Sequence, residues 1–105
     1  MKISKSIVDK ITEKFKYDEN DAVQFSTVAI ESIERNIAKI EECIFKGDYA
    51  NLIFPVHNLK GNLGTMGLTE EASMASRIQS LIEFGDISKA IQLCAELKSR
   101  LIEVD

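Results

Sequence analysis

A chain of 105 residues is long enough for one hydrophobic core but too short to hold a nucleotide-binding domain beside a second domain. Its composition, 45% hydrophobic and 29% charged with one Pro, is typical of a folded and largely helical chain rather than a disordered one. The net charge of -4 argues against general binding of nucleic acid, which requires clustered Lys and Arg.

The N-terminal segment MKISKSIVDKITEKF interrupts its apolar residues with charges, so it has no continuous apolar stretch for a signal peptide or a membrane span. We therefore expect a cytoplasmic protein without membrane contact. Cys43 and Cys94 stand in different segments without the close Cys or His spacing of a zinc site. Both are expected to be small core residues, and no metal site is expected.

Apolar residues recur at steps of three and four along five segments, the spacing that places them on one face of a helix. The predicted helices span residues 3–15, 20–46, 48–66, 69–84 and 86–103, and no strand is predicted. The first is a short helix, from Ile3 to Phe15, that lies across the others. The remaining four are joined by short connections and must run antiparallel to their neighbours. The expected fold is an all-α, up-down-up-down four-helix bundle with an additional N-terminal helix, in a single domain over residues 1–105.

The third predicted helix carries His57, the only histidine. The inward stripe of this helix is expected to be Leu52, Val56, Leu59, Leu63 and Met66. His57 projects about 120° from the centre of that stripe, so its imidazole is expected to be at least partly exposed.

The neighbours of His57 on its own helical face are Lys60, Gly61 and Gly64. A helical Gly costs about 1 kcal/mol relative to Ala, so two of them within four residues need an explanation. Either a neighbouring helix approaches closely, or an outside surface must come near His57. Lys60 favours the second reading, because an ammonium one turn away disfavours imidazolium and attracts an anion.

The run His57-Asn58-Leu59-Lys60-Gly61 resembles the signature of histidine-containing phosphotransfer (HPt) domains, which is His, any residue, a Leu-like residue, Lys and Gly. Gly67, ten residues after the His, also fits the family pattern. The preceding Gly47-Asp48 resembles the pair that often opens the phosphoacceptor helix, and the helical layout fits essentially the whole chain.

The resemblance implies that His57 accepts a phosphoryl group from the aspartyl phosphate of one receiver domain and passes it to another. It assigns Lys60 to the phosphoryl oxygens and Gly61 to leaving room for the partner's active site. The implied partners are response-regulator receiver domains and a sensor histidine kinase, which can be of the hybrid type. The receiver would supply Mg²⁺, so no cofactor of the chain's own is expected. The protein would be a monomeric carrier without autokinase activity.

Gln79, 22 residues after His57, stands where family members often carry a polar residue within reach of the histidine. It either orients the imidazole or is an ordinary surface amide. Asn62 is a candidate for the rim of the site. Docking onto a receiver is expected to use small and apolar residues beside His57, which are Ala50, Ile53, Phe54 and Gly64. Ile53 and Phe54 are alternatively core residues, and Pro55 is expected to kink the helix.

Three other functions compete with the carrier. The phosphoacceptor domain of a chemotaxis-type histidine kinase resembles the same signature, but it usually has an acidic residue where Gln79 stands. The chain starts with Met and includes no kinase or dimerisation region, which also disfavours that reading. A purely structural bundle would explain the apolar stripes but not the pair of Lys60 and Gly61. An independent enzyme is disfavoured because the sequence offers no complete catalytic set around its one His.

Overall fold

The computed structural model describes residues 2–14 and 19–103, with side-chain environments given for 2–13 and 27–103. Over these ranges the chain forms five α-helices and no strand, which confirms the all-α prediction. The helices are α1 (Lys5–Lys14), α2 (Glu19–Lys46), α3 (Ile53–Thr65), α4 (Thr69–Glu83) and α5 (Ile87–Leu101). The predicted position of Phe15 in the first helix lies outside the described residues.

The connections on either side of α3 are short and turn at glycine. Gly47 follows α2 with a φ of 69°, and Gly67 follows α3 with a φ of 75°. Both values lie in the left-handed region that residues with a Cβ adopt only with strain, so glycine is required where the chain reverses. The neighbouring helices α2, α3, α4 and α5 therefore run antiparallel in sequence order.

The segment predicted as one helix from residue 48 to 66 is divided in the structure. A short 3-10 turn, Tyr49–Asn51, precedes α3, which begins only at Ile53. Pro55 thus lies in the first turn of α3, where a backbone N–H has no intrahelical acceptor and its absence costs little. Pro55 therefore does not interrupt the interior of a longer helix, because α3 begins only two residues before it.

The core is built from the predicted stripes. All five predicted inward residues of the α3 segment are at most 4% exposed. They pack with buried residues of the other helices, among them Ile33, Ile37, Ala75, Ile78, Ala90 and Leu97. The side chains of α2 are described only from residue 27 onward, so the apolar residues before that position lie outside the described residues. With this face of α3 buried, the opposite face is left at the surface of the bundle.

α1 packs against the end of the bundle at which α4 begins and α5 ends. Its apolar face, Ile7 and Ile11, is almost completely buried. The backbone N–H of Ser4 donates to the carbonyl of Leu101 at 2.7 Å, just before α1 begins. Because α3 also ends near this end, α1 lies away from the start of α3.

None of the helices in the described ranges has an apolar stretch long enough to cross a bilayer.

Candidate functional site

His57 lies in the second turn of α3 with its side chain exposed to solvent. The adjacent Val56 is 1% exposed, and Leu59, two residues further on, is also 1% exposed. These buried neighbours fix the rotation of α3 about its axis. The imidazole therefore points out of the bundle because the apolar face of the same helix points in.

The side chain of Gln79 on α4 contacts the imidazole. Its Oε1 lies 3.3 Å from Nδ1 of His57. An amide oxygen only accepts hydrogen bonds, so this contact requires Nδ1 to carry the ring proton. The other ring nitrogen, Nε2, then has a free lone pair directed away from Gln79. The predicted juxtaposition of Gln79 with His57 is thus present in the structure.

Lys60 lies one helical turn after His57 and is half-buried. Among the described residues, no carboxylate or hydrogen-bond acceptor is paired with its ammonium group. No described carboxylate therefore neutralises the ammonium charge, which is available to an anion bound at His57.

Gly61 and Gly64 follow on the same side of α3, and both are exposed. A Cβ added to either one would meet no atom within 4 Å. The alternative that these glycines allow a neighbouring helix to approach is therefore wrong, since no helix in the described part of the chain lies against them. They leave a strip of bare backbone beside His57 that an outside surface can approach closely.

The residues expected to dock a partner lie at the N-terminal end of α3 and just before it. Ala50 is exposed, Phe54 is 63% exposed, and Ile53 is half-buried without joining the core cluster. The alternative that Phe54 is a core residue is wrong, because Leu52 and Val56 fill the inward positions of that turn. A large exposed ring three residues before His57 is a typical feature of an interaction surface.

Asn62 is half-buried and connects two helices. Its Nδ2 donates to Oγ of Ser32 on α2 at 2.7 Å. On a helix Asn62 projects about 140° away from His57, towards α2 rather than towards the imidazole. The structure therefore gives Asn62 a structural contact that the sequence prediction of a rim residue did not include.

Two further features at the site were missed from the sequence. Glu83 lies on α4 one turn after Gln79, and its carboxylate accepts from Gln79 Nε2 at 3.2 Å. The spacing of four residues on a helix is a signal that could have found it. Ser32 had no such signal, because its partner Asn62 is thirty positions away in the sequence.

The two cysteines are separate from the site. Cys94 on α5 is buried, and this burial raises the pKa of its thiol to about 11. Cys43 on α2 is partly buried, and desolvation together with nearby Asp48 raises its thiol pKa as well. Both thiols are free, and neither contributes to a group of metal ligands in the described parts of the chain.

Comparison with known proteins bears on the whole arrangement. Searches of curated proteins and of solved structures found no significant match to the chain. A family model described as Hpt domain matches residues 24–105, which include α3 with His57 and α4 with Gln79. The family implies histidine phosphotransfer in phosphorelay signalling, and its members are generally phosphocarriers rather than enzymes. Because this match covers most of the chain, the protein belongs to the Hpt domain family.

Proposed function

We propose that this protein is a phosphocarrier that accepts a phosphoryl group on Nε2 of His57 from the aspartyl phosphate of one receiver domain and passes it to another. The observation that carries the proposal is the exposed imidazole whose Nδ1 faces Gln79 Oε1 at 3.3 Å. This contact keeps the proton on Nδ1 and leaves the Nε2 lone pair free for the phosphorus atom.

In the first transfer, the Nε2 lone pair attacks phosphorus in line with the aspartyl oxygen. The new N–P bond forms as the O–P bond breaks, and the partner's aspartate leaves as a carboxylate. Nδ1 keeps its proton throughout, so the phosphorylated ring is a cation whose N–H still donates to Gln79. In the second transfer, a carboxylate of the next receiver attacks phosphorus, the N–P bond breaks and Nε2 regains its lone pair. No net proton is consumed.

Lys60 would stabilise the charge on the transferring group. Its ammonium is unpaired among the described residues and lies one turn from His57, within the reach of a flexible four-carbon side chain. A cation at the phosphoryl oxygens lowers the barrier because charge neutralisation and positioning dominate this type of transfer.

The receiver's active site must come within bonding distance of Nε2. Gly61 and Gly64 permit this approach because they place no side chain beside the imidazole. Phe54, Ile53 and Ala50 would form the apolar part of the docking surface, next to the N-terminal end of α3. Mg²⁺ would be held by the acidic pocket of the receiver rather than by this chain.

The donors and acceptors would be response-regulator receiver domains, including the receiver of a hybrid sensor histidine kinase. The protein would act as a monomer in the cytoplasm, without autokinase activity. Exposed phosphoacceptor geometry on a single bundle requires no second copy of the chain.

The decisive experiment is incubation with phosphoramidate as a small phosphoryl donor, followed by intact mass measurement before and after acid treatment. Wild type should gain one phosphoryl group that acid removes, because phosphohistidine is acid-labile. His57→Gln should gain none, and the control Asn58→Gln, one residue further on the exposed side of α3, should behave as wild type. An acid-stable adduct, or an adduct that persists in His57→Gln, would exclude His57 as the acceptor. Transfer from phosphorylated protein to a purified receiver domain then tests the second step.

A further inference from the structure

Three side chains form a connected row across the α3–α4 surface. The Glu83 carboxylate accepts from Nε2 of Gln79 at 3.2 Å, and Oε1 of the same Gln79 amide lies 3.3 Å from His57 Nδ1. Glu83 and Gln79 are one turn apart on α4, so a single helix holds both groups in a fixed relation to each other.

The groups on either side of the Gln79 amide, the Glu83 carboxylate and the His57 imidazole, determine how the amide must point. A carboxylate at neutral pH only accepts hydrogen bonds, whereas an amide has one accepting and one donating end. The reverse orientation would place the amide oxygen against the Glu83 carboxylate, where two acceptors repel. It would also present the amide NH₂ to His57 Nδ1. Glu83 therefore favours the orientation in which the amide oxygen faces His57.

We propose that Glu83 is a positioning residue that fixes the orientation of the Gln79 amide and thereby sets the tautomer of His57. The proposal rests on the proposed function, since it assigns Nε2 as the nitrogen that receives the phosphoryl group. Glu83 touches neither the imidazole nor the phosphoryl group. It acts through Gln79, and its effect is to keep the Nε2 lone pair available.

The expected size of the effect of Glu83 on the His57 tautomer depends on how exposed the three side chains are. His57 and Glu83 are exposed and Gln79 is half-buried, so water competes with both contacts. A single net hydrogen bond of this kind changes an equilibrium by roughly 3- to 10-fold. The tautomer ratio and the phosphotransfer rate are both expected to shift by a factor in this range.

The test replaces Glu83 by a donor. In Glu83→Lys, the new ammonium donates to the Gln79 oxygen, so the amide turns and presents its NH₂ to Nδ1. This favours the proton on Nε2. The ring ¹⁵N chemical shifts report the tautomer directly, and His57 is the only histidine, so its signals are unambiguous. Glu83→Gln, which can donate or accept, should lie between wild type and Glu83→Lys.

Two controls separate this effect from others. Glu96→Lys, an exposed residue on α5, makes the same change in net charge and should leave the ¹⁵N shifts as in wild type. In a Gln79→Ala background, Glu83→Lys should cause no further shift, because the connecting amide is gone. Rates of phosphorylation by phosphoramidate should fall about 3- to 10-fold in Glu83→Lys.

The outcomes distinguish the two proposals. If Glu83→Lys leaves the tautomer ratio equal to that of Glu96→Lys, the positioning role of Glu83 is wrong even where His57 is phosphorylated normally. If the tautomer shifts as expected but wild type takes no phosphoryl group, Glu83 positions the ring and the phosphocarrier function fails.

Discussion

The side-chain amide of Asn62 donates a 2.7 Å hydrogen bond to the hydroxyl of Ser32, and this bond joins α3 to α2. It fixes α3 against its neighbour on the side away from His57. Since the contact is partly buried, loss of either partner leaves the other without a hydrogen bond in a poorly hydrated place.

We predict that Asn62→Ala and Ser32→Ala each lower the free energy of unfolding by about 1 kcal/mol. The double variant should lose less than the sum of the two, because both single changes break the same bond. Urea unfolding of the four proteins measures this coupling. If the effects add fully, the bond contributes nothing to stability. If Asn62→Ala instead slows transfer to a receiver at unchanged stability, Asn62 belongs to the rim of the site.

Lys60→Ala is predicted to slow phosphoryl transfer between His57 and a receiver by roughly 10- to 100-fold, since a cation near the phosphoryl oxygens stabilises the transition state. Lys60→Arg should retain much of the rate because it keeps the charge. Rapid-quench measurement with a phosphorylated receiver gives both rates. Equal rates for Lys60→Ala and wild type would show that the ammonium does not reach the phosphoryl group.

Gly61→Ala is predicted to separate stability from function. The added methyl group meets no atom within 4 Å, so the variant should be more stable by about 0.5–1 kcal/mol. Transfer from a receiver should nevertheless fall roughly 10-fold or more, because a small displacement of the reacting groups is costly. Phosphorylation by phosphoramidate, which needs no docking, is the internal control and should change little. Undiminished transfer from the receiver would remove the proposed reason for this glycine.

Phe54→Ala is predicted to change stability by less than about 0.5 kcal/mol, because the ring is 63% exposed. It should weaken binding of a receiver domain about 5- to 10-fold, as loss of an aromatic anchor does. Phe45→Ala is the matched control, since Phe45 is 92% exposed at the end of α2. Titration of a labelled receiver compares the two variants. Equal binding by both would place the docking surface elsewhere.

Cys94 is predicted to make stability fall at alkaline pH. Burial raises its thiol pKa from 9.0 to about 11, so the folded state holds the proton over a range in which the unfolded state releases it. The contribution of the neutral thiol to the free energy of unfolding is complete below pH 9 and is lost as the pH rises to about 11. A shift of this size corresponds to about 2–3 kcal/mol.

Urea unfolding of wild type and Cys94→Ala between pH 8 and 11 tests this linkage. The stability of wild type should fall more steeply than that of the variant, because every other titrating group, including the Cys43 thiol, is common to both proteins. Parallel pH profiles would mean that the Cys94 thiol ionises in the folded protein as easily as in the unfolded chain.

Helix positions and core faces could be predicted from the sequence because they depend on neighbours three and four residues apart. The stripe from Leu52 to Met66 is buried as predicted, and the glycines after α2 and α3 mark their ends. The start of α3 was predicted too early. Asp48 stands at the predicted first position of that helix, yet its side chain accepts from the side chain of Asn51 and caps no backbone N–H.

The environment of the site depended on how helices meet, which local spacing does not encode. The outward position of Phe54 followed from Leu52 and Val56 occupying the core, while the pattern alone allowed either face. Whether the space beside Gly61 and Gly64 is open depends on where the neighbouring helices lie, so only the structure could answer it.

The sequence by itself determined the number of helices, the burial of one face of α3, the exposure of His57 and, through its resemblance to HPt domains, the candidate site residues. Only the tertiary structure decided that Gln79 reaches His57, that Glu83 holds Gln79, and that Asn62 binds Ser32. The physical reason is that helix formation and amphipathicity act over one or two turns of the same segment. Contacts such as that between His57 and Gln79 depend on the rotation and register of two separate helices, which packing of the whole core fixes.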